Sequence, residues 1–114
     1  QEILRLLRPG GVFGLGEPMH LEVELPADLE PYVSQPEFPW KECFRSISQT
    51  AAAVEQAGFE IVEADYAPDA GLWWREYAAH DPFCKQQPEE DPQTIEKDNG
   101  RWVSFGYVIA RKPA

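Results

Sequence analysis

The sequence has no long hydrophobic run and only two cysteines, and each shortage excludes a class of protein. No apolar stretch approaches the roughly 20 residues of a membrane-spanning helix. No basic start followed by an apolar run and a small-residue cleavage site indicates secretion. Cys43 and Cys84 form neither a CxxC pair nor a metal-ligand spacing. We therefore expect a cytoplasmic protein with reduced thiols, no bound metal and no membrane partner.

Basic residues are also scarce. The 114 residues contain 10 Lys or Arg against 20 Asp or Glu, which gives a formal net charge of −10. Such a surface repels a phosphate backbone, so nucleic acid is not an expected partner. Hydrophobic residues make up 43% of the chain and aromatic residues 12%, enough for one modest core. This length predicts a single domain over residues 1–114.

Hydrophobic periodicity and turn residues predict alternating helices and strands. We expect helices over 1–8, 42–57 and 70–80, and strands over 12–16, 59–66 and 101–112. Pro9 ends the first helix, Gly58 the second and Pro82 the third. The proline-broken segment 17–42 is expected to be irregular with short helical turns, and 85–99 to be a solvated loop. This order indicates an α/β fold whose last strand is free to run antiparallel.

Gly11, Gly14 and Gly16 invite a nucleotide-loop interpretation, which their spacing does not support. The pattern is G-x-x-G-x-G, no third downstream glycine follows, and no strand precedes it. We therefore assign no cofactor-binding residue to this chain.

Four segments in order resemble the C-terminal part of class I S-adenosylmethionine-dependent methyltransferases. "EILRLLRPGG" resembles the helix and L-[KR]-P-G-G turn before the fifth strand of that family, and "VFGLGEP" resembles the fifth strand. "SISQTAAAVEQAGFEIVEADY" resembles the next helix and the sixth strand, and "WVSFGYVIARKP" resembles the final strand. The resemblance implies a partial Rossmann-like fold with flanking helices. Its small three-stranded mixed sheet would have the last strand antiparallel between the other two. Residues 21–42 and 69–99 match no motif.

The resemblance also implies what this chain does and lacks. In that family the glycine-rich turn and the acid that bind S-adenosylmethionine lie upstream, so the cofactor is expected for the complete enzyme and not for this chain alone. The implied function is the acceptor side of a methyltransferase for a small-molecule or sugar-like acceptor, inactive in isolation. A non-catalytic binding or assembly module built on half of the fold is the alternative, and a small unrelated α/β domain also stays open. Strand 12–16 would be an unprotected sheet edge, which predicts a homodimer or association with the missing N-terminal half.

Glu17 and the two histidines are candidate site residues. Glu17 follows a predicted strand, where ligand crevices open in α/β sheets, and is a candidate for binding the acceptor. His20 and His80 are candidate catalytic bases, because a hydroxyl acceptor must lose its proton. Asp81 is a candidate partner that orients His80. The alternative is that all three residues are ordinary surface groups.

A dense aromatic cluster lies on the predicted helix 70–80. It consists of Trp73, Trp74, Arg75 and Tyr77. These side chains are candidates for lining an acceptor pocket by stacking on a sugar or a planar ring. The alternative is helix packing, with one tryptophan on the core and the other under a loop, since adjacent helical residues point about 100° apart and cannot share one core face.

Overall fold

The computed structural model describes residues 2–114. The elements of this part of the chain are α1 (Glu2–Leu6), β1 (Val12–His20), α2 (Glu30–Val33), α3 (Trp40–Cys43), α4 (Ile47–Gln56), β2 (Glu60–Tyr66), α5 (Ala70–His80), α6 (Pro82–Gln86), α7 (Asp91–Asp98) and β3 (Val103–Arg111). The predicted helix 1–8 begins at Gln1, which lies outside the described residues. Within residues 2–114, none of the helices combines the length and the apolar character that a membrane crossing requires.

The three strands form one sheet in the order β1-β3-β2. β3 runs antiparallel to both neighbours, with Val108 opposite Leu15 on one side and Ala64 on the other. The prediction that the last strand lies antiparallel between the other two is therefore confirmed. β1 and β2 run in the same direction but do not pair with each other, so both ladders are antiparallel.

The two faces of the sheet differ in what covers them. Val108 and Ala110 are fully buried on the face that α4 covers. Gly106 lies on the same face, because residues alternate along a strand. A Cβ atom there would overlap the Sδ atom of Met19, which is also fully buried. The opposite face carries Phe105, which meets helix α5 at the carboxyl ends of β1 and β2.

Helix α4 begins and ends with local signals. The Ser46 hydroxyl accepts a hydrogen bond from the Gln49 N–H at 3.2 Å, and the Gln49 side chain accepts one from the Ser46 N–H at 2.9 Å. This capping box satisfies two N–H groups at the start of the helix. Gly58 follows the end of the helix at φ +104°, a conformation that favours glycine. The predicted helix 42–57 starts later than expected, because Phe44 is extended and α3 forms a separate turn before it.

Strand β1 continues four residues beyond the predicted end at Gly16, through Pro18. The His20 N–H donates to the Arg45 carbonyl at 3.0 Å, away from β3, whereas the Leu21 N–H donates to the Trp102 carbonyl at 2.7 Å. Pro18 shares the orientation of His20, because alternate residues face the same side. Its nitrogen therefore faces the outer edge, where no ladder hydrogen bond is lost.

The prediction that 85–99 is a solvated loop is wrong. Most of this segment forms the end of α6 and the whole of α7, and α7 packs against α5. Its sequence is polar, yet Thr94, Ile95 and Asp98 are buried. Asp98 is buried because its carboxylate accepts three backbone N–H groups at the start of β3. Pro82 follows the end of α5, as predicted, but it also starts α6.

A second core lies beyond the end of the sheet and joins segments 21–42 and 69–99, which matched no sequence motif. It contains Leu29, Val33, Trp40, Ile95, Trp102 and Val103. Phe44, Trp74 and Tyr77 pack against it. This core fixes α3, α5 and α7 around one corner of the sheet.

Candidate functional site

An aromatic cavity of ≈ 440 Å³ lies at this corner. Six aromatic rings line it. Trp40 comes from α3 and Phe44 directly follows that helix, α5 supplies Trp73, Trp74 and Tyr77, and β3 supplies Phe105. Pro18 and Asp91 complete the lining. We call this feature the aromatic cavity. It lies at the carboxyl ends of β1 and β2, where ligands bind in open α/β sheets.

The rings of the wall meet at a range of angles, from 17° to 80°. Trp73 contacts Phe105 edge-on, with the ring centroids 5.7 Å apart and the planes inclined by 76°. Trp74 and Tyr77 are 5.9 Å apart at 80°. Trp40 lies nearly parallel to Phe44 at 17°, but their centroids are only 5.0 Å apart. That separation is direct ring-to-ring contact, so nothing fits between these two rings.

Trp73 and Trp74 have different roles in the wall. The Trp74 indole donates from Nε1 to the Ser104 carbonyl at 2.9 Å and packs against the second core. Trp73 is 47% exposed and covers Phe105 from the outside. Although their side chains diverge along the helix, both reach the aromatic cavity. Trp74 therefore packs on the core, as the alternative interpretation of the cluster expected, whereas Trp73 remains open to solvent and ligand.

Asp91 is held at the rim of the cavity by Tyr77. The Tyr77 hydroxyl donates to Asp91 Oδ2 at 2.6 Å. Burial, and next the hydrogen bond to Asp91, raise the pKa of the Tyr77 phenol above its ordinary value. The phenol therefore remains a neutral donor, and Asp91 is the only charged side chain lining the described cavity.

Glu17 and Arg75 do not join the aromatic cavity. Glu17 lies on the opposite sheet face from Pro18 and lines a cavity beneath α4 together with Arg45. Arg75 is exposed and lines a second cavity, of ≈ 340 Å³, between α5 and α7. The substrate-binding roles of both residues stay predictions.

His20 and His80 are placed apart from each other. The His20 ring stacks on Trp102, with centroids 4.8 Å apart and planes inclined by 3°, and its Nδ1–H donates to the Leu21 carbonyl at 2.8 Å. His80 is exposed at the last residue of α5. The Asp81 carboxylate accepts the Phe83 N–H at 2.9 Å and so caps α6. A catalytic role for either histidine stays a prediction.

Sequence reasoning missed half of the wall. Trp40 lies in the proline-broken segment and Phe44 in the predicted helix 42–57, and their spacing of four residues was available as a signal. Phe105 was part of the predicted last strand, but nothing local indicated that it faces α5. Asp91 could not be told apart from the adjoining Glu89 and Glu90.

The glycine-rich segment does not fit a cofactor. Gly14 and Gly16 lie inside β1, opposite Ile109 and Tyr107 of β3, and not in a loop before a helix. Among the described residues, no group of three or more His, Cys, Asp or Glu side chains is arranged to hold a metal ion. The absence of cofactor-binding residues from this chain stays a prediction.

Solved structures of similar fold were found. A candidate sarcosine dimethylglycine methyltransferase from Galdieria sulphuraria matches 98% of this chain and 45% of its own, with 16% identity and a TM-score of 0.70. Phosphoethanolamine N-methyltransferase 2 of Haemonchus contortus, bound to phosphomonomethylethanolamine and S-adenosylhomocysteine, matches 98% of this chain and 29% of its own, with 15% identity and a TM-score of 0.63. The [4+2]-cyclase SpnF matches 99% of this chain and 42% of its own, with 21% identity and a TM-score of 0.60.

These likenesses show the fold. The chain has a partial class I methyltransferase fold and spans less than half the length of each of these structures. No protein-family model matches the sequence, and no curated protein matches it significantly.

Proposed function

We propose that this chain is the acceptor side of an S-adenosylmethionine-dependent methyltransferase and that the aromatic cavity binds a small-molecule acceptor. The observation that carries the proposal is the position of the cavity, at the carboxyl ends of β1 and β2 in a partial methyltransferase fold. Its volume of ≈ 440 Å³ falls within the roughly 300–1,000 Å³ typical of small-molecule sites. Two of the similar structures carry small-molecule methyltransferase names, and one of them holds S-adenosylhomocysteine.

The role of these residues is to position the acceptor. The cofactor supplies an activated methyl group, so transfer depends mainly on alignment of the acceptor and exclusion of water. The rings of Trp73, Trp74 and Phe105 provide shape and a dry surface for this purpose. Should the acceptor be a hydroxyl, a base would be needed, and His20 and His80 remain the proposed candidates.

In this proposal residues 1–114 form one domain, and the cofactor-binding half precedes Gln1. The test is calorimetry with S-adenosylmethionine on two proteins: the 114-residue chain, and the longer chain encoded by the surrounding open reading frame. We expect micromolar binding by the longer chain and much weaker binding by the 114 residues. Micromolar binding by the 114 residues would contradict this division. Absence of binding by the longer chain would contradict the methyltransferase proposal itself.

A binding or assembly module remains the second candidate function. The similarity to the [4+2]-cyclase SpnF supports keeping an alternative to methyl transfer, because a shared fold does not fix the activity. Formation of S-adenosylhomocysteine by the longer chain with a panel of small acceptors separates the two candidates. Cofactor binding without any turnover supports the module.

The outer edge of β1 is the proposed contact with a partner. By alternation from His20, the N–H groups of Val12, Gly14 and Gly16 face away from β3. Such an edge invites strand addition, either by the N-terminal half or by a second copy of this chain.

A further inference from the structure

We propose that the aromatic cavity recognises an alkylammonium cation, so that the small-molecule acceptor carries a quaternary ammonium or protonated tertiary amine group. The methyl group is then transferred to another atom of the acceptor, because an ammonium nitrogen has no lone pair. That the bound cation is a methyl acceptor rests on the proposed function, but the cation site itself is argued from the geometry of the cavity wall. The occupant follows from three observations: the inclination of the rings, the charge at the rim, and the absence of any basic side chain from the lining.

The inclination of the rings disfavours a flat ligand. A planar ligand stacks best between two parallel rings with a gap between them. Here the parallel pair, Trp40 and Phe44, is already in contact at 5.0 Å. Trp74 is tilted by 40° to Trp40 and by 33° to Phe44, with centroids 5.3 and 6.2 Å apart. Trp73 with Phe105 and Trp74 with Tyr77 stand at 76° and 80°. Rings at right angles enclose a rounded group and present several faces to it.

Aromatic faces attract cations. The negative face of an aromatic ring draws an ammonium group within about 6 Å of its centroid, and tryptophan does so most strongly. Three tryptophans line this cavity, and Lys, Arg and His are absent from its described lining. No resident cation therefore competes for the rings. Rings of this kind in a partly closed site are the usual recognition surface for methylated ammonium groups.

Asp91 supplies the opposite charge. Its carboxylate lies at the rim, and the hydrogen bond from Tyr77 at 2.6 Å fixes its orientation through Oδ2. Oδ1 accepts no side-chain hydrogen bond among the described residues, so it keeps its capacity to interact with a ligand. The net charge of −10 on the chain favours cations at longer range as well.

The experiment compares a cation with its neutral isostere. Choline and 3,3-dimethyl-1-butanol differ only by a quaternary nitrogen in place of a carbon atom. Each is titrated into the 114-residue chain at constant ionic strength, and the indole N–H resonances are followed by NMR. We expect saturable shifts at Trp73 and Trp74 with choline, and binding about tenfold weaker for the neutral alcohol.

Variants locate the site. Asp91→Asn keeps the shape and the acceptor for Tyr77 but removes the charge. It should weaken the binding of choline several-fold and leave the affinity for the alcohol unchanged. Trp73→Leu should weaken choline binding by about tenfold, because it removes one aromatic face. Since this ring is half exposed, its loss should leave the core intact. Phe83→Leu is the matched control, since Phe83 is 49% exposed and lies outside the lining.

Each outcome decides the proposal separately from the methyltransferase function. Equal affinity for choline and the alcohol would overturn the cation site and leave an apolar cavity. Absence of saturable binding by either probe, in a chain that circular dichroism shows to be folded, would also overturn it. Choline binding in a protein whose longer form binds no S-adenosylmethionine would keep the cation site and remove the methyltransferase proposal.

Discussion

Replacing Asp98 by alanine is expected to destabilise the protein by about 2–4 kcal/mol at neutral pH. The side chain is 2% exposed. Its Oδ1 accepts the N–H groups of Trp102 and Val103 at 2.8 and 3.0 Å, and its Oδ2 accepts that of Gly100 at 3.0 Å. The first two donors are buried, and a buried donor without a partner costs about 1–3 kcal/mol. Removing a buried charge offsets part of this cost.

The effect of Asp98→Ala depends on pH with a defined sign. Burial raises the pKa of Asp98 above its ordinary value, although the three N–H groups oppose the shift. A carboxyl whose folded-state pKa exceeds its unfolded value contributes stability that is present below the unfolded pKa and is lost as pH rises through the folded pKa. The stability gap between the parent and Asp98→Ala should therefore widen as the pH is lowered from 7 towards 4.

Urea denaturation followed by tryptophan fluorescence at several pH values measures this gap. The control is Asp81→Ala, which removes one exposed cap bond to Phe83 and should cost only about 1 kcal/mol. An Asp98→Ala loss no larger than that of the control would refute the role assigned to the buried carboxylate. A gap that narrows on acidification would refute the assigned direction of the pKa shift.

Three further predictions concern the fold and its free edge. Gly106→Ala should cost about 1–3 kcal/mol in urea denaturation, because the new Cβ overlaps Met19 Sδ, whereas Gly14→Ala meets nothing and should be close to neutral. Ser46→Ala should lower the unfolding free energy by about 1 kcal/mol through loss of the capping box, and Ser48→Ala, at an exposed position within α4, should not. Light scattering at micromolar concentration and physiological salt should show association of the 114-residue chain, reduced by Gly14→Lys on the edge strand; a stable monomer would contradict the proposed edge contact.

Elements with strong local signals could be predicted from the sequence. The topology, including the central antiparallel strand, followed from the family resemblance of four segments, "EILRLLRPGG", "VFGLGEP", "SISQTAAAVEQAGFEIVEADY" and "WVSFGYVIARKP". Helix α5 was predicted with its observed bounds, Ala70–His80. Asp69 occupies the N-cap position of that helix but makes no side-chain cap bond.

The missed features depend on contacts that are distant in the chain. Helix α7 is polar along most of its length, and its burial follows from Asp98 binding the backbone of residues 100–103 and from packing against α5. The aromatic cavity combines rings from residues 40–44, 73–77 and 105. Only the middle group was identified, because helical spacing shows which residues cluster locally but not which strand or loop faces them.

The most direct test of the central proposal is kinetic. In the longer chain, Trp73→Leu should raise the KM for the small-molecule acceptor about tenfold and leave the Kd for S-adenosylmethionine unchanged, with Phe83→Leu as control. Trp73 suits this test better than Trp74, whose indole also donates to Ser104 and packs on the core. Equal weakening of acceptor and cofactor by Trp73→Leu, or no effect on either in the folded variant, would contradict an acceptor site in the aromatic cavity.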